Sequence, residues 1–189
     1  MIKIGILGDI GSGKSFVAKS FGYPVFNADN EVAKIYKKNK ICFIKIKKLL
    51  PKYIKTFPID KAELTNAILS NKNNIKKITK IVHPLVRKKL NLFLLKNKNK
   101  KIVILDIPLL LENKLKNKDT ILVFVEAKKS DISKRLNKRK SFNSKIFKRL
   151  KEIQLPLDYK RRKSNYIIKN YYTKKFVRKS VKNLLRKIL

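Results

Sequence analysis

The stretch Gly8-Asp9-Ile10-Gly11-Ser12-Gly13-Lys14-Ser15 constrains the fold more than any other part of the chain. It satisfies the GxxxxGK[ST] spacing and sits in the local context that this spacing requires. Residues 2–7, Ile-Lys-Ile-Gly-Ile-Leu, are rich in β-branched side chains and run straight into the turn, after which Ser15 to Phe21 predicts a helix. In a strand, loop, helix order the glycines let the backbone fold tightly, so that successive amide N–H groups converge on phosphate oxygens at the start of the helix. Lys14 then neutralises the β- and γ-phosphates of a nucleotide, and the Ser15 hydroxyl is placed on a magnesium ion that bridges them. The loop alone does not separate kinases from GTPases, helicases or other ATPases.

The remaining pattern alternates strands with helices. A short strand is predicted from Pro24 to Asn27, with a helix beginning near Asn30. From about Lys40 to Lys100 the pattern is helical, with Pro51, Pro58 and Pro84 as breakers and the polar run Ser70 to Asn74 as a helix junction. The Leu and Ile stripe from Leu85 to Leu95 reads as core packing. Ile102-Val103-Ile104-Leu105 is uninterrupted apolar sequence, as in a parallel strand covered on both faces, and Ile121 to Val125 is another such run. A basic helical stretch spans Ser130 to Gln154, Tyr166 to Ile168 predicts a last short strand, and Thr173 can cap a terminal helix. The class is therefore α/β, with a parallel sheet and right-handed crossovers.

At 189 residues and 43% hydrophobic content, the chain predicts one domain with a substantial core. A single cysteine, Cys42, cannot form an intramolecular disulfide, which fits a reducing compartment. Neither a secretory leader nor an apolar run long enough to span a bilayer is visible, so the reading is a cytoplasmic protein without a membrane partner. Fifty Lys and Arg against 12 Asp and Glu give a formal charge of +38. The lysines are spread almost evenly from Lys34 to Lys187 beside an excess of Ile and Asn, the pattern of compositional drift rather than of a nucleic-acid surface.

With so few acids, those at strand ends are informative. Asp29 follows the second strand at the end where α/β sheets bind ligands, and its carboxylate is placed to take a proton from an attacking hydroxyl; the alternative is a helix cap. Asp106 ends the strand at Leu105, a position suited to ordering magnesium or orienting substrate, and Glu112 follows within the same segment. His83, the only histidine, either bonds a substrate phosphate or fixes the turn at Pro84. Among Arg135, Arg139 and Arg149, Arg139 is the residue expected to reach ATP from a closing lid, because a planar guanidinium suits a phosphoryl group.

Taken together these residues resemble the dephospho-CoA kinase family. The opening GILGDIGSGKS looks like that family's loop, Asn27-Ala28-Asp29 resembles its DAD signature, and His83-Pro84 matches its HP pair. Asp106-Ile107-Pro108-Leu109-Leu110-Leu111-Glu112 is similar to its PLL-and-Glu segment. Gln154 to Lys160, followed by Tyr166 to Asn170, resembles its C-terminal Gln, Lys and Asn pattern. The resemblance implies a P-loop NTPase fold of three layers in a single domain, 1–189. Its parts are a core of 1–30, 99–134 and 164–189, a helical CoA-binding insertion at 31–98, and a lid at 135–163. It implies ATP and Mg2+ as cofactors, dephospho-CoA as the small-molecule partner, no specific nucleic acid, and a monomer or small homo-oligomer. Asp9, Ile10, Gly11, Ser12, Gly13, Lys14, Ser15 and Phe16, with Arg139 and Asn170, form the implied ATP-binding set, and Ser15 is the implied metal ligand. Asp29, His83, Asp106, Pro108, Leu109 and Glu112 form the implied substrate set, with Asp29, Lys14 and Arg139 catalytic. The implied reaction is phosphorylation of a ribose 3′-hydroxyl. The alternatives are a nucleoside or nucleotide monophosphate kinase and a nucleic-acid-binding P-loop ATPase.

The chain also departs from the family pattern. Asp9 stands where glycine is usual and puts a negative side chain beside the phosphate site, Asn27 replaces the first acid of DAD, Phe16 replaces a small hydroxyl residue, and Ser164-Asn165 replaces Ala-Asp. Lys14, Ser15 and Asp29 are all retained, so an active enzyme with altered nucleotide affinity is expected.

Overall fold

The computed structural model describes residues 1–112, 119–139 and 142–189. Residues 113–118 of the expected core segment and 140–141 of the expected lid lie outside the described residues. In chain order the elements are β1 (Ile2–Gly8), α1 (Lys14–Ser20), β2 (Val25–Asn27), α2 (Ala28–Lys38), α3 (Lys40–Leu49), α4 (Lys61–Ser70) and α5 (Lys72–Lys96). They continue as β3 (Ile102–Asp106), β4 (Thr120–Glu126), α6 (Lys129–Asn137), α7 (Ser144–Glu152), α8 (Leu157–Arg162), β5 (Tyr166–Lys169) and α9 (Lys174–Ile188). Two compact units result, one of Met1–Asn27, Lys96–Phe142 and Ile153–Leu189, the other of Ala28–Leu95 and Asn143–Glu152.

The first unit is built on a parallel sheet in the order β2-β3-β1-β4-β5. β1 is central because its apolar side chains are buried on both faces, the environment in which near-continuous Ile and Leu is stable. On one face Ile4, Ile6, Ile102, Ile104, Val123, Val125 and Ile168 pack with Val17, Ala18 and Phe21 and with Val177, Val181 and Leu184 of α9. On the other face Leu7, Val103, Leu105, Leu122 and Phe124 are buried, and a Cβ on Gly5 would stand 2.5 Å from Leu110 Cδ2. Glycine is needed there so that the segment after β3 can lie against the central strand. The expected α/β class with a parallel sheet is what forms.

The second unit is helical. Its core is drawn from Ile35, Cys42, Ile46, Leu50, Ile54, Ile59, Leu64 and Ala67, joined by Ile75, Ile78, Val82, Val86 and Leu90 of α5. The Ser70–Asn74 run is a junction as expected: buried Asn74 donates through Nδ2 to the Ala67 carbonyl at 2.8 Å, satisfying the end of α4.

Three local expectations need correction. α2 starts at Ala28 rather than near Asn30, so Asp29 lies inside its first turn. Pro84 does not break the chain; it lies within α5, and His83 is in mid-helix rather than at a helix start. Residues 75, 78, 82, 86 and 90 form one buried helical stripe that crosses the proline, and burying five apolar side chains at about 1.5–3 kcal/mol each outweighs a penalty of about 3 kcal/mol. The Leu85–Leu95 stripe is only partly core, since Leu92 and Leu95 are 50% and 66% exposed.

Candidate active site

β1 delivers the glycine-rich loop to the carboxyl edge of the sheet, where parallel α/β proteins bind ligands. Lys14 Nζ donates to the carbonyls of Asp9 at 2.8 Å and Gly8 at 3.2 Å, so the ammonium is folded back over the start of the loop. Ser12 is buried, and its Oγ has no hydrogen-bond partner among the described residues. Ser15 is exposed in the first turn of α1, and Phe16 beside it is 36% exposed.

Asp9 is 7% exposed, and its Oδ1 accepts the Ile10 N–H at 2.7 Å. The carboxylate therefore shapes the loop locally while adding negative charge next to Lys14. In Asp9→Asn the amide oxygen can still accept from Ile10, while the charge is lost. That variant is expected to lower the KM for ATP by roughly threefold to tenfold, measured by steady-state kinetics at saturating acceptor.

Asn170 follows β5 and is buried. Its Nδ2 donates to the Ser12 carbonyl at 2.8 Å, and its Oδ1 accepts the Tyr172 N–H at 2.8 Å. Tyr172 Oη donates to the Gly11 carbonyl at 3.0 Å. The Arg135 guanidinium lies over the Tyr172 ring, 4.3 Å from its centroid. Burial pushes the Tyr172 hydroxyl pKa up; Arg135 and Arg139 pull it down, while Asp131 and Asp9 push it up. Arg139, exposed just beyond α6, is thus near enough to Tyr172 to act on its hydroxyl electrostatically.

At the neighbouring strand ends, Asn27 of β2 and Asp106 of β3 are register partners, and Asn27 Nδ2 donates to Asp106 Oδ2. Asp106 is 3% exposed. Pro108 and Leu109 are half-buried in the turn that follows. Glu112 is paired with Lys160 of α8, Oε1 to Nζ 2.6 Å, the two side chains being 10% and 1% exposed, and the same oxygen accepts the Leu155 N–H at 3.0 Å. The Ser164-Asn165 departure has a structural role: the Asn165 N–H donates to the Leu122 carbonyl at 2.9 Å and its Oδ1 accepts the Leu122 N–H at 2.8 Å, tying the entry of β5 to β4.

Asp29 and His83 belong to the helical unit. Asp29 is exposed in the first turn of α2, where the free amides of a helix start favour a carboxylate. His83 is half-buried, and burial first, then the Arg87 charge, lower its pKa from 6.5. The unfolded chain therefore binds the proton more readily, so stability is expected to fall as pH drops below about 6.5. His83→Gln should flatten that part of the melting-temperature profile.

The sequence reading missed Tyr172 and the contact that Arg135 makes with its ring. The signal available for Tyr172 was its place between Asn170 and the α9 cap Thr173, a turn too short to move away from the loop that Asn170 holds. Composition gave no signal for buried Lys160 in a chain of 50 Lys and Arg; only the family-like Gln154 to Lys160 stretch did, and it did not foretell the pairing with Glu112.

Residues 2–175 match the dephospho-CoA kinase family. The dephospho-CoA kinase of Wolbachia pipientis wMel is 34% identical over 187 residues, covering 96% of this chain and 95% of the relative. Among solved structures, TT1252 from Thermus thermophilus superposes with a TM-score of 0.77 at 27% identity, covering 100% of this chain and 98% of the other. Dephospho-CoA kinase from Campylobacter jejuni shares the fold at a TM-score of 0.65 and 23% identity, covering 98% and 96%. With a phosphate loop on the central strand and relatives matched almost end to end, this chain belongs to the dephospho-CoA kinase family.

Proposed function

We propose a residue-level division of labour for the family reaction, the ATP-dependent phosphorylation of dephospho-CoA that yields coenzyme A and ADP. The observation that carries it is the Gly8–Ser15 loop at the carboxyl edge of β1, with Lys14 folded over it and Asp106 at the end of the adjacent strand. Lys14 swings from the Gly8 and Asp9 carbonyls to the β- and γ-phosphates, a short movement because those carbonyls border the loop. Asp29 accepts the proton of the ribose 3′-hydroxyl as its oxygen bonds the γ-phosphorus and the bond to the ADP oxygen breaks. Arg139 neutralises charge on the transferring group, and Asn170 keeps the loop in shape. Catalysis by positioning and charge needs no covalent intermediate.

Magnesium fits this donor set. It takes hard oxygen ligands and leaves much of its shell to water and phosphate, so Ser15 Oγ is assigned to hold it, with the Asp106 carboxylate at the end of β3 as a further oxygen donor. Among the described residues no group of three or more His, Cys, Asp or Glu is gathered to hold a metal without a nucleotide. When bound, the ion offsets charge on the phosphates. Pro108, Leu109, Glu112 and His83 are assigned to the acceptor side. The working boundaries remain core 1–30, 99–134 and 164–189, insertion 31–98 and lid 135–163. Among the described residues no helix is long and apolar enough to cross a membrane. The setting that suits the reaction is the cytoplasm, with the chain acting as a monomer or small homo-oligomer.

The test is ADP release from magnesium-ATP by the purified protein, with dephospho-CoA, a nucleoside monophosphate panel or duplex DNA as the added partner. Turnover confined to dephospho-CoA, with a product heavier by one phosphoryl group, is expected. Turnover on a monophosphate, or stimulation by DNA, would sink the assignment.

A further inference from the structure

Tyr172 has φ 59°, and it is the one non-glycine residue with positive φ among the described residues. This is a region that a bulky L side chain seldom enters, and a residue held there is a reason to look for what holds it. Three contacts do so. The Tyr172 N–H donates to Asn170 Oδ1, the hydroxyl donates to the Gly11 carbonyl, and Arg135 covers the ring.

Their consequences meet in the phosphate loop. A peptide unit is planar and trans, so a carbonyl held on one side sends the next residue's N–H to the other. Asn170 holds the Ser12 carbonyl, and the Gly13 N–H is therefore turned away from Asn170. Tyr172 holds the Gly11 carbonyl, while the N–H of the same peptide, on Ser12, is fixed to the Asp9 carbonyl at 3.1 Å. That peptide is pinned at both ends. The bond from the Tyr172 N–H to Asn170 Oδ1 also decides which way the Asn170 amide faces, and so which atom meets Ser12.

The fit around the loop is close. A Cβ on Gly13 would collide with Asn170 Nδ2 and stand 3.5 Å from Tyr172 Cε1; one on Gly11 would stand 3.0 Å from Ile132 Cγ2 and 3.2 Å from Leu136 Cγ of α6. α6 thus packs against the loop at Gly11 and also carries Arg135 onto the Tyr172 ring.

We propose that Tyr172, seated by its left-handed backbone and by Arg135, is a positioning residue that works with Asn170 to hold the outward carbonyls of Gly11 and Ser12, so that the loop presents its amides to the nucleotide already arranged. The inference rests on the loop being the ATP site. A mould of this kind lowers the ordering that binding would otherwise require, so its loss is read in nucleotide affinity and not in the acceptor. The strained backbone is kept because the alternative, a relaxed turn, would release both carbonyls.

Two variants test it. Tyr172→Phe keeps the ring, the Arg135 stack and the backbone and removes only the hydroxyl. Tyr172→Gly removes the whole side chain while making φ 59° easy to adopt. The readouts are calorimetric binding of a non-hydrolysable ATP analogue with magnesium, the KM for each substrate, and the melting temperature, with Lys14→Ala as the loss-of-site control. The expected result is analogue affinity lower by about fivefold in Tyr172→Phe and by about tenfold to thirtyfold in Tyr172→Gly. The KM for dephospho-CoA stays within a factor of about two, and the glycine variant melts within about 3 °C of wild type because relief of φ offsets the lost contacts. Unchanged analogue affinity in both variants, with binding lost in Lys14→Ala, would overturn the positioning role and leave the ATP site standing. Affinity that falls only in step with melting temperature would reduce Tyr172 to a structural residue and overturn it too. Failure of the wild-type protein to bind the analogue would remove the nucleotide reading and this inference with it.

Discussion

Asp29→Asn is expected to lower kcat by two to four orders of magnitude, about 10²–10⁴-fold, while leaving the KM for ATP within a factor of about three. The substitution keeps the size and shape of the side chain and removes its capacity to take a proton. Asp29 lies in the first turn of α2, where the partial positive charge of the helix start suits a carboxylate. The same position allows a purely structural role. That role predicts something different: losing a charge from a helix start costs about 0.3–1 kcal/mol, visible as a small drop in melting temperature with kcat intact. Single-turnover kinetics at saturating ATP and dephospho-CoA, alongside thermal melts, separate the two. Unchanged single-turnover rates would end the assignment of Asp29 as the base.

The second large effect concerns Lys14. Lys14→Ala is expected to reduce kcat/KM for ATP by roughly 10³-fold or more, with both a weaker ground state and a slower chemical step, because the proposed role of the ammonium is to offset the charge that the transferring phosphoryl develops. The alanine variant also loses the bonds to the Gly8 and Asp9 carbonyls. The loop should nonetheless keep its course, since the Gly11 and Ser12 carbonyls are held from outside by Tyr172 and Asn170. A folded protein, with a melting temperature near wild type and calorimetric ATP binding lost, is the expected outcome. A variant that binds ATP normally would mean that Lys14 stays on the loop carbonyls during turnover.

Part of this molecule could be read directly from its residues because the relevant physics is local. β1, the glycine loop and α1 are contiguous, and the apolar runs of β3 and β4 declare burial on both faces without reference to anything else. Asn170 was singled out as an ATP-site residue through likeness to a family pattern, but its bond to the Ser12 carbonyl was not foreseen. Pro84 was misread because a breaker is judged from its neighbours, whereas α5 is held through it by a stripe of buried side chains that only the folded unit brings to bear. Tyr172 was missed for a related reason: its hydroxyl partner is 161 positions away, and only its closeness in sequence to Asn170 points toward the loop. Glu112 was picked out as a site acid, yet the pairing that occupies one of its oxygens joins it to a lysine that composition cannot distinguish from the rest.

The place of β1 in the sheet has a consequence for how the protein is made. Its hydrogen-bonding neighbours begin at residues 102 and 120, so at a synthesis rate of about 5–20 residues per second the first strand emerges roughly 5–20 seconds before either. During that interval an Ile- and Leu-rich edge waits in solution with Lys3 as its one charged guard against pairing with another chain. The helices from Ala28 to Leu95, being nearly continuous in sequence, can collapse meanwhile. Asn170 and Tyr172 follow their loop partners by 158 and 161 positions. The nucleotide loop is thus translated well before the residues that give it its working shape.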